Sequence, residues 1–265
     1  MHIVLAVIGV LWLIPTLGLL ATSIIAPVHF TEFGWWKIFS DPSLATWKNY
    51  SDIFHNGPIT HSLWVTAQIA IGATVLPIMV AALAAYAFAW LEFPGRDVLF
   101  IIVIALLVVP LQMALIPIFS IYNTLHLYDT VYGLVLFHTA FALPFAVFLL
   151  RNFFAGIPRD LMEAARTDGA SEWQVFRRVT VPLLAPVLTV VFITMLINVL
   201  KVFDVVLAVA PQSVQDDANV IALAMWRTSF GGVNDFGLGS AIAVFLFLLV
   251  LPILLLNIRR FRREA

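Results

Sequence analysis

Few residues in this chain could do chemistry, and their spacing excludes more than it offers. The only lysines are Lys37, Lys48 and Lys201, and none follows a glycine. A phosphate-cradling P-loop needs a glycine-rich turn leading into Lys-Ser/Thr, so an ATP site within the chain is not expected. Cysteine is absent, which removes disulfides, thiolate metal sites and cysteine nucleophiles. The six histidines are scattered, with neither a nucleophile–base pair nor a metal cluster inside the apolar stretches. Proton- or sodium-coupled transport places carboxylates within the membrane. The apolar stretches hold only Asp204, which lies roughly 30 Å from Leu183 at about 1.5 Å per helical residue. That puts it near one face of a bilayer rather than at the centre.

The polar residues inside the apolar stretches that could line a solute path are Gln68, Gln112, His138, Asn198, Lys201 and Asp204. The two glutamines suit hydrogen bonds between helices, and His138 suits a packing role. Lys201 and Asp204 are three apart and can pair with each other. Asn198 and Asp204 are left as the candidates for a solute path.

The elements that must position these residues follow from composition. Hydrophobic residues make up 62% of the 265 and charged residues only 11%, with a mean hydropathy of +1.03. A soluble domain carries roughly 25% charged residues, so the bilayer is the natural solvent for this chain. Spanning about 30 Å of hydrocarbon takes roughly 20 apolar residues as a helix. Six stretches qualify: Ile3–Ile25, Leu63–Trp90, Val98–Phe119, Val131–Leu150, Leu183–Val206 and Ala241–Ile258. The first has no basic flank before it and no small-residue cleavage site after it, so it reads as a span rather than a signal peptide. The expected fold is an all-α integral membrane domain over residues 1–265, with six transmembrane helices. The apolar stretch Asn219–Phe230 is too short to span and is expected at the outer surface or tucked between spans.

Basic residues set the direction, because cytoplasmic flanks collect Lys and Arg. One set of flanks holds Arg96, Arg151, Arg159, Arg166, Arg177, Arg178, Arg259, Arg260, Arg262 and Arg263. The other holds Lys37, Lys48, Lys201 and Arg227. Ten against four places both termini in the cytoplasm. Trp35, Trp36, Trp47 and Tyr50 in the first outer connection suit a membrane–water interface.

One cytoplasmic connection is long. Between the fourth and fifth spans, Arg151 to Pro182 carries nine charges in the sequence RNFFAGIPRDLMEAARTDGASEWQVFRRVTVP. Pro158 suits a first helical position, and Asp160 and Glu163 favour the positive helix start. Gly169 can take the left-handed conformation that ends a helix. Ser171 and Gln174 match a capping box, and Trp173, Phe176 and Val179 recur at helical spacing. The spacing predicts a helix, a glycine turn, a second helix, and a fifth span opened by Pro182. A bulky residue at Gly169 is expected to push the two short helices apart.

Glu163-Ala164-Ala165, Asp168-Gly169-Ala170 and Val181-Pro182 resemble the "EAA" loop of binding-protein-dependent ABC importer permeases. The resemblance implies a type I importer permease fold in a bacterial or archaeal inner membrane, in which this loop is a coupling helix seated in a cleft of a cytoplasmic ATPase subunit. ATP and Mg would then be bound by that partner, with no cofactor on this chain. It further implies a second permease, as a heterodimer in preference to a homodimer, and an extracytoplasmic solute-binding protein. Membrane lipid surrounds such a subunit, and nothing points to nucleic acid. Thr46-Trp-Lys-Asn-Tyr50, Phe93-Pro-Gly-Arg96 and Asp129-Thr130 are similar to the carbohydrate branch, of the maltose and α-glucoside type. The loop itself is shared by permeases for other solutes, which stand as the alternative. A secondary transporter would need mid-membrane ionisable residues or repeats.

Overall fold

The structure is a computed structural model that describes residues 2–29, 34–127, 130–200, 205–206, 219–232 and 234–264. Eleven α-helices are defined among them: α1 His2–Ser23, α2 Lys48–His55, α3 Gly57–Trp90, α4 Arg96–Ala105, α5 Leu111–Thr124, α6 Val131–Gly156, α7 Arg159–Thr167, α8 Glu172–Val175, α9 Val181–Leu200, α10 Ile221–Phe230 and α11 Phe236–Glu264. No β-strand forms among the described residues, and one isolated bridge pairs Ile25 with Ala45. An all-helical chain is what a bilayer demands, because each helix satisfies its own backbone.

Among the described residues four helices are long and apolar enough to cross a membrane: Val4–Ser23, Gly57–Trp90, Val131–Gly156 and Glu172–Leu200. The stretch expected as one span over Val98–Phe119 is instead broken, with the chain bent by 103° between Arg96–Val108 and Leu111–Thr124. Pro110 explains the break. It has no N–H to donate and forces the preceding residue out of the helical region, and Val109 is extended at φ −70°, ψ 116°. Phe236–Pro252 is a shorter apolar helix. Pro77, Pro144 and Pro186 are all accommodated inside helices.

The chain divides into two compact units, Met1–Ala67 with Leu200–Ala265, and Gln68–Val199. In the first, Ile53, Ile59, Ile221, Leu238, Ala241 and Ile242 form a buried core. Asn49, also buried, donates from Nδ2 to the carbonyls of Ser23 and Ile25 at 2.9 Å each, which satisfies the chain as it leaves α1. Gly237 is required beside this clamp, since a Cβ there would lie 2.6 Å from the Ile25 carbonyl oxygen. The stretch Asn219–Phe230 is helical from Ile221, and Ile221 to Ala224 are buried in this core. Its first turn is therefore packed inside the unit, while Phe230 at its end is exposed. The Ile221 N–H donates to Thr66 Oγ1 at 2.9 Å.

The second unit packs α3 beyond Gln68 with α4 to α9. Ala81, Ala85 and Ala146 are fully buried among Val147, Leu150, Leu184, Val187 and Val191. Small residues at such contacts let helix backbones approach closely, which is how helices gain packing energy where lipid is as apolar as leucine. Many outward-facing residues are apolar, with Leu83 74% and Ile116 81% exposed.

Candidate functional site: the loop between α6 and α9

The loop is built from its caps. Helix α7 begins after Pro158, which is extended at φ −61°, ψ 126° and stands at the cap, one place before the first helical position. Asp160 occupies the first turn, where a carboxylate meets the positive end of the helix. At the far end Gly169 has φ +84°. Its N–H donates to the Arg166 carbonyl at 3.0 Å, and the Ala170 N–H donates to the Ala165 carbonyl at 3.0 Å. This pair of bonds is a Schellman closure, which needs a residue at positive φ and thereby satisfies carbonyls the helix leaves open.

The next helix starts on the capping box. Ser171 N–H donates to Gln174 Oε1 at 2.8 Å, and Gln174 N–H donates to Ser171 Oγ at 3.4 Å. Thus one turn is closed on both sides by backbone and side-chain bonds. A bidentate ion pair spans it: Arg166 Nε donates to Glu172 Oε1 at 2.7 Å, and the Arg166 Nη2 donates to Glu172 Oε2 at 3.1 Å. The hydrogen bond and charge of Glu172 push the Arg166 guanidinium further up, so it stays charged at every pH the protein meets. Sequence reasoning missed this pair, because six residues across a turn match no helical periodicity.

Met162 and Val175 are the buried anchors of the loop. The presented side is different. Glu163, Ala164, Asp168 and Gly169 are exposed, with Ala165 and Ala170 half-buried. Glu163 makes no ion pair among the described residues. Trp173 and Phe176 stack with centroids 5.5 Å apart, yet they are 65% and 48% exposed. A Cβ on Gly169 would meet nothing within 4 Å. The expected push on the helices is therefore absent, and only the backbone conformation constrains the position.

The fifth span does not open at Pro182. Helix α8 runs through a π-turn, Phe176–Thr180, directly into α9. The Val181 N–H donates to the Phe176 carbonyl, the wider spacing of a π-turn. Pro182 follows at once, and a proline ring would crowd the carbonyl four residues back in a regular α-turn. The loop's second helix and the span are one continuous rod, Glu172–Leu200.

Comparison with known proteins decides what kind of chain carries this loop. Residues 78–261 match the family described as binding-protein-dependent transport system inner membrane component. The chain belongs to that family. An osmoprotective compounds uptake permease protein of Synechocystis sp. is 43% identical over 188 residues, 70% of this chain and 63% of its own. An alpha-glucoside transport system permease protein of Rhizobium meliloti is 45% identical over 152 residues, 56% of this chain and 40% of its own. The chain thus spans less than two thirds of the length of these curated relatives. The crystal structure of a bacterial ABC transporter involved in the import of the acidic polysaccharide alginate superposes with a TM-score of 0.76. At 17% identity, over 100% of this chain and 95% of that one, it shows a shared fold.

Within this permease fold the candidate path residues are not gathered together. Asn198 is exposed on α9, two residues before its end. Asp204 and Lys201 lie outside the described residues. Gln68 and Gln112 are exposed, and His138 is half-buried with Nδ1 2.8 Å from the Leu134 carbonyl.

Proposed function

We propose that this chain is a permease subunit of an ATP-driven importer that moves a carbohydrate delivered by an extracytoplasmic binding protein. The observation that carries the reading is the loop: a chain of this family presents Glu163 and Ala164 on α7, and Asp168 and Gly169 on the doubly capped turn that ends it. We assign it to docking a cytoplasmic ATPase subunit, which supplies ATP and Mg chemistry; this chain does not hydrolyse ATP. Six spans, with the bent α4–α5 pair and α11 as two of them, make one permease domain with both termini in the cytoplasm of a bacterial or archaeal cell. The ten-to-four distribution of basic residues supports that direction.

A second permease completes the path, as a heterodimer. Exposed Gln68, Gln112 and Asn198 on predominantly apolar helices support this, because polar groups facing lipid are expensive. Asn198 and Asp204 are assigned to the solute path. A carbohydrate fits the named activity of the alpha-glucoside relative. The osmoprotective-compounds relative does not name a solute class, and a non-carbohydrate solute stands as the alternative.

The test is uptake. Proteoliposomes holding the assembled complex and its binding protein, supplied with ATP inside, are expected to accumulate a radiolabelled α-glucoside. Accumulation of a labelled zwitterionic osmolyte instead, with no α-glucoside uptake, would move the substrate to the alternative class.

A further inference from the structure

The last two turns of α6 are gripped from two sides just before α7 departs. Phe154 is buried, and its ring stands edge-on to Trp90 at 5.0 Å and to Tyr86 at 6.0 Å. Tyr86 and Trp90 meet edge to face at 5.0 Å. The Trp90 indole N–H donates to the Phe154 carbonyl at 3.1 Å, and the Ile157 N–H donates to the same oxygen at 3.2 Å. That carbonyl belongs to the last turn of α6, where a helix has no donor of its own to offer.

One turn earlier the grip comes from α4. Arg151 lays its guanidinium over the Phe100 ring, with Cζ 4.8 Å from the centroid. Its Nε is buried and has no hydrogen-bond partner, so the ring face is what holds this part of the charge. Phe100 meets Phe88 of α3 at 5.5 Å, and Phe88 meets Phe93 at 6.1 Å in the corner that joins α3 to α4. The link to α7 is short and stiff. Ile157 packs against the same core, and Pro158 fixes its own φ and restricts Ile157 to extended backbone, as observed at φ −78°, ψ 122°.

We infer that Tyr86, Trp90 and Phe154, with the Phe100–Arg151 pair, form a collar that makes the ends of α3, α4 and α6 move with α7 as one block. Aromatic edge contacts are directional, and a packed core shifts between discrete arrangements instead of stretching. A displacement of the coupling loop therefore reaches three helices at once. Their part is to position the loop, acting through the helices they join. The inference rests on the docking role proposed for the loop.

The absence of cysteine gives a clean labelling background. Spin labels at Glu92→Cys in the α3–α4 corner and Asp160→Cys on α7, both exposed positions, are measured by pulsed electron resonance in the full complex. With the collar intact, the distance distribution is narrow and the same without nucleotide and when trapped with ATP and vanadate. In the Trp90→Ala, Arg151→Met background it shifts between the two states by more than the parent's width. Trp90→Phe keeps the ring and loses only the N–H donor, so it falls between these two and serves if the double variant does not fold. Distances in both backgrounds that match the parent, with the ATPase still bound, would overturn the collar alone. Failure of the unlabelled parent to co-purify with the ATPase would instead overturn the docking role.

Discussion

At Gly169 the cost of change is conformational. Its φ of +84° is costly for any residue with a Cβ, by roughly 1 kcal/mol or more, and β-branching restricts the backbone further. The open space around it removes a steric explanation. The Arg166–Glu172 pair is different in kind, because both side chains are exposed to solvent and such pairs contribute little. The Schellman closure and the capping box hold the turn without it. We therefore expect Glu172→Gln to leave ATPase co-purification at the parent level, where Gly169→Val abolishes it. Equal losses in a pull-down would make the ion pair the main fastening of the turn. For the solute path, Asn198→Leu and Asp204→Leu are each expected to reduce uptake in proteoliposomes while the complex stays assembled. Uptake at the parent rate for both would leave them as packing residues.

At the scale of elements, much was legible because its determinants are local. Gly169, Ser171 and Gln174 announce their turn through residues no more than five apart, and the structure closes it with the bonds those residue types make. Helix interiors were equally plain, since a run such as Val131–Gly156 has nowhere to go but a bilayer. What sequence reasoning missed was the fate of prolines. Pro77, Pro144 and Pro186 pass inside helices, Pro110 breaks one, and Pro182 sits behind a π-turn. Which outcome wins depends on whether neighbouring helices or a local readjustment can satisfy the freed carbonyl, and that is a matter of packing. The break at Pro110 carries its own prediction. Spin labels at Val98→Cys and Ile121→Cys would lie roughly 35 Å apart on a straight helix rising about 1.5 Å per residue. For two arms of roughly 15 Å with a 103° bend between them, the separation falls to about 20 Å. A measured distance near the longer value would restore a single straight span.

At the scale of the whole molecule, orientation is argued from charge, and the chain is well suited to testing it because it has no native cysteine. With an impermeant thiol reagent applied to intact cells, Ser43→Cys is expected to be labelled. Ser171→Cys should react only after the membrane is opened. The reverse pattern would put the loop on the wrong side for any cytoplasmic partner. In the proposed function the loop seats in that partner, so the most direct measurement is a pull-down of the ATPase subunit with Gly169→Val, normalised to the amount of permease in the membrane, beside ATP-driven uptake. The variant is expected to reach the membrane at the parent level and to lose ATPase co-purification and uptake together, with Glu163→Ala showing a milder loss of both. A Gly169→Val permease that binds the ATPase and transports like the parent would contradict the assignment of this loop as the coupling element.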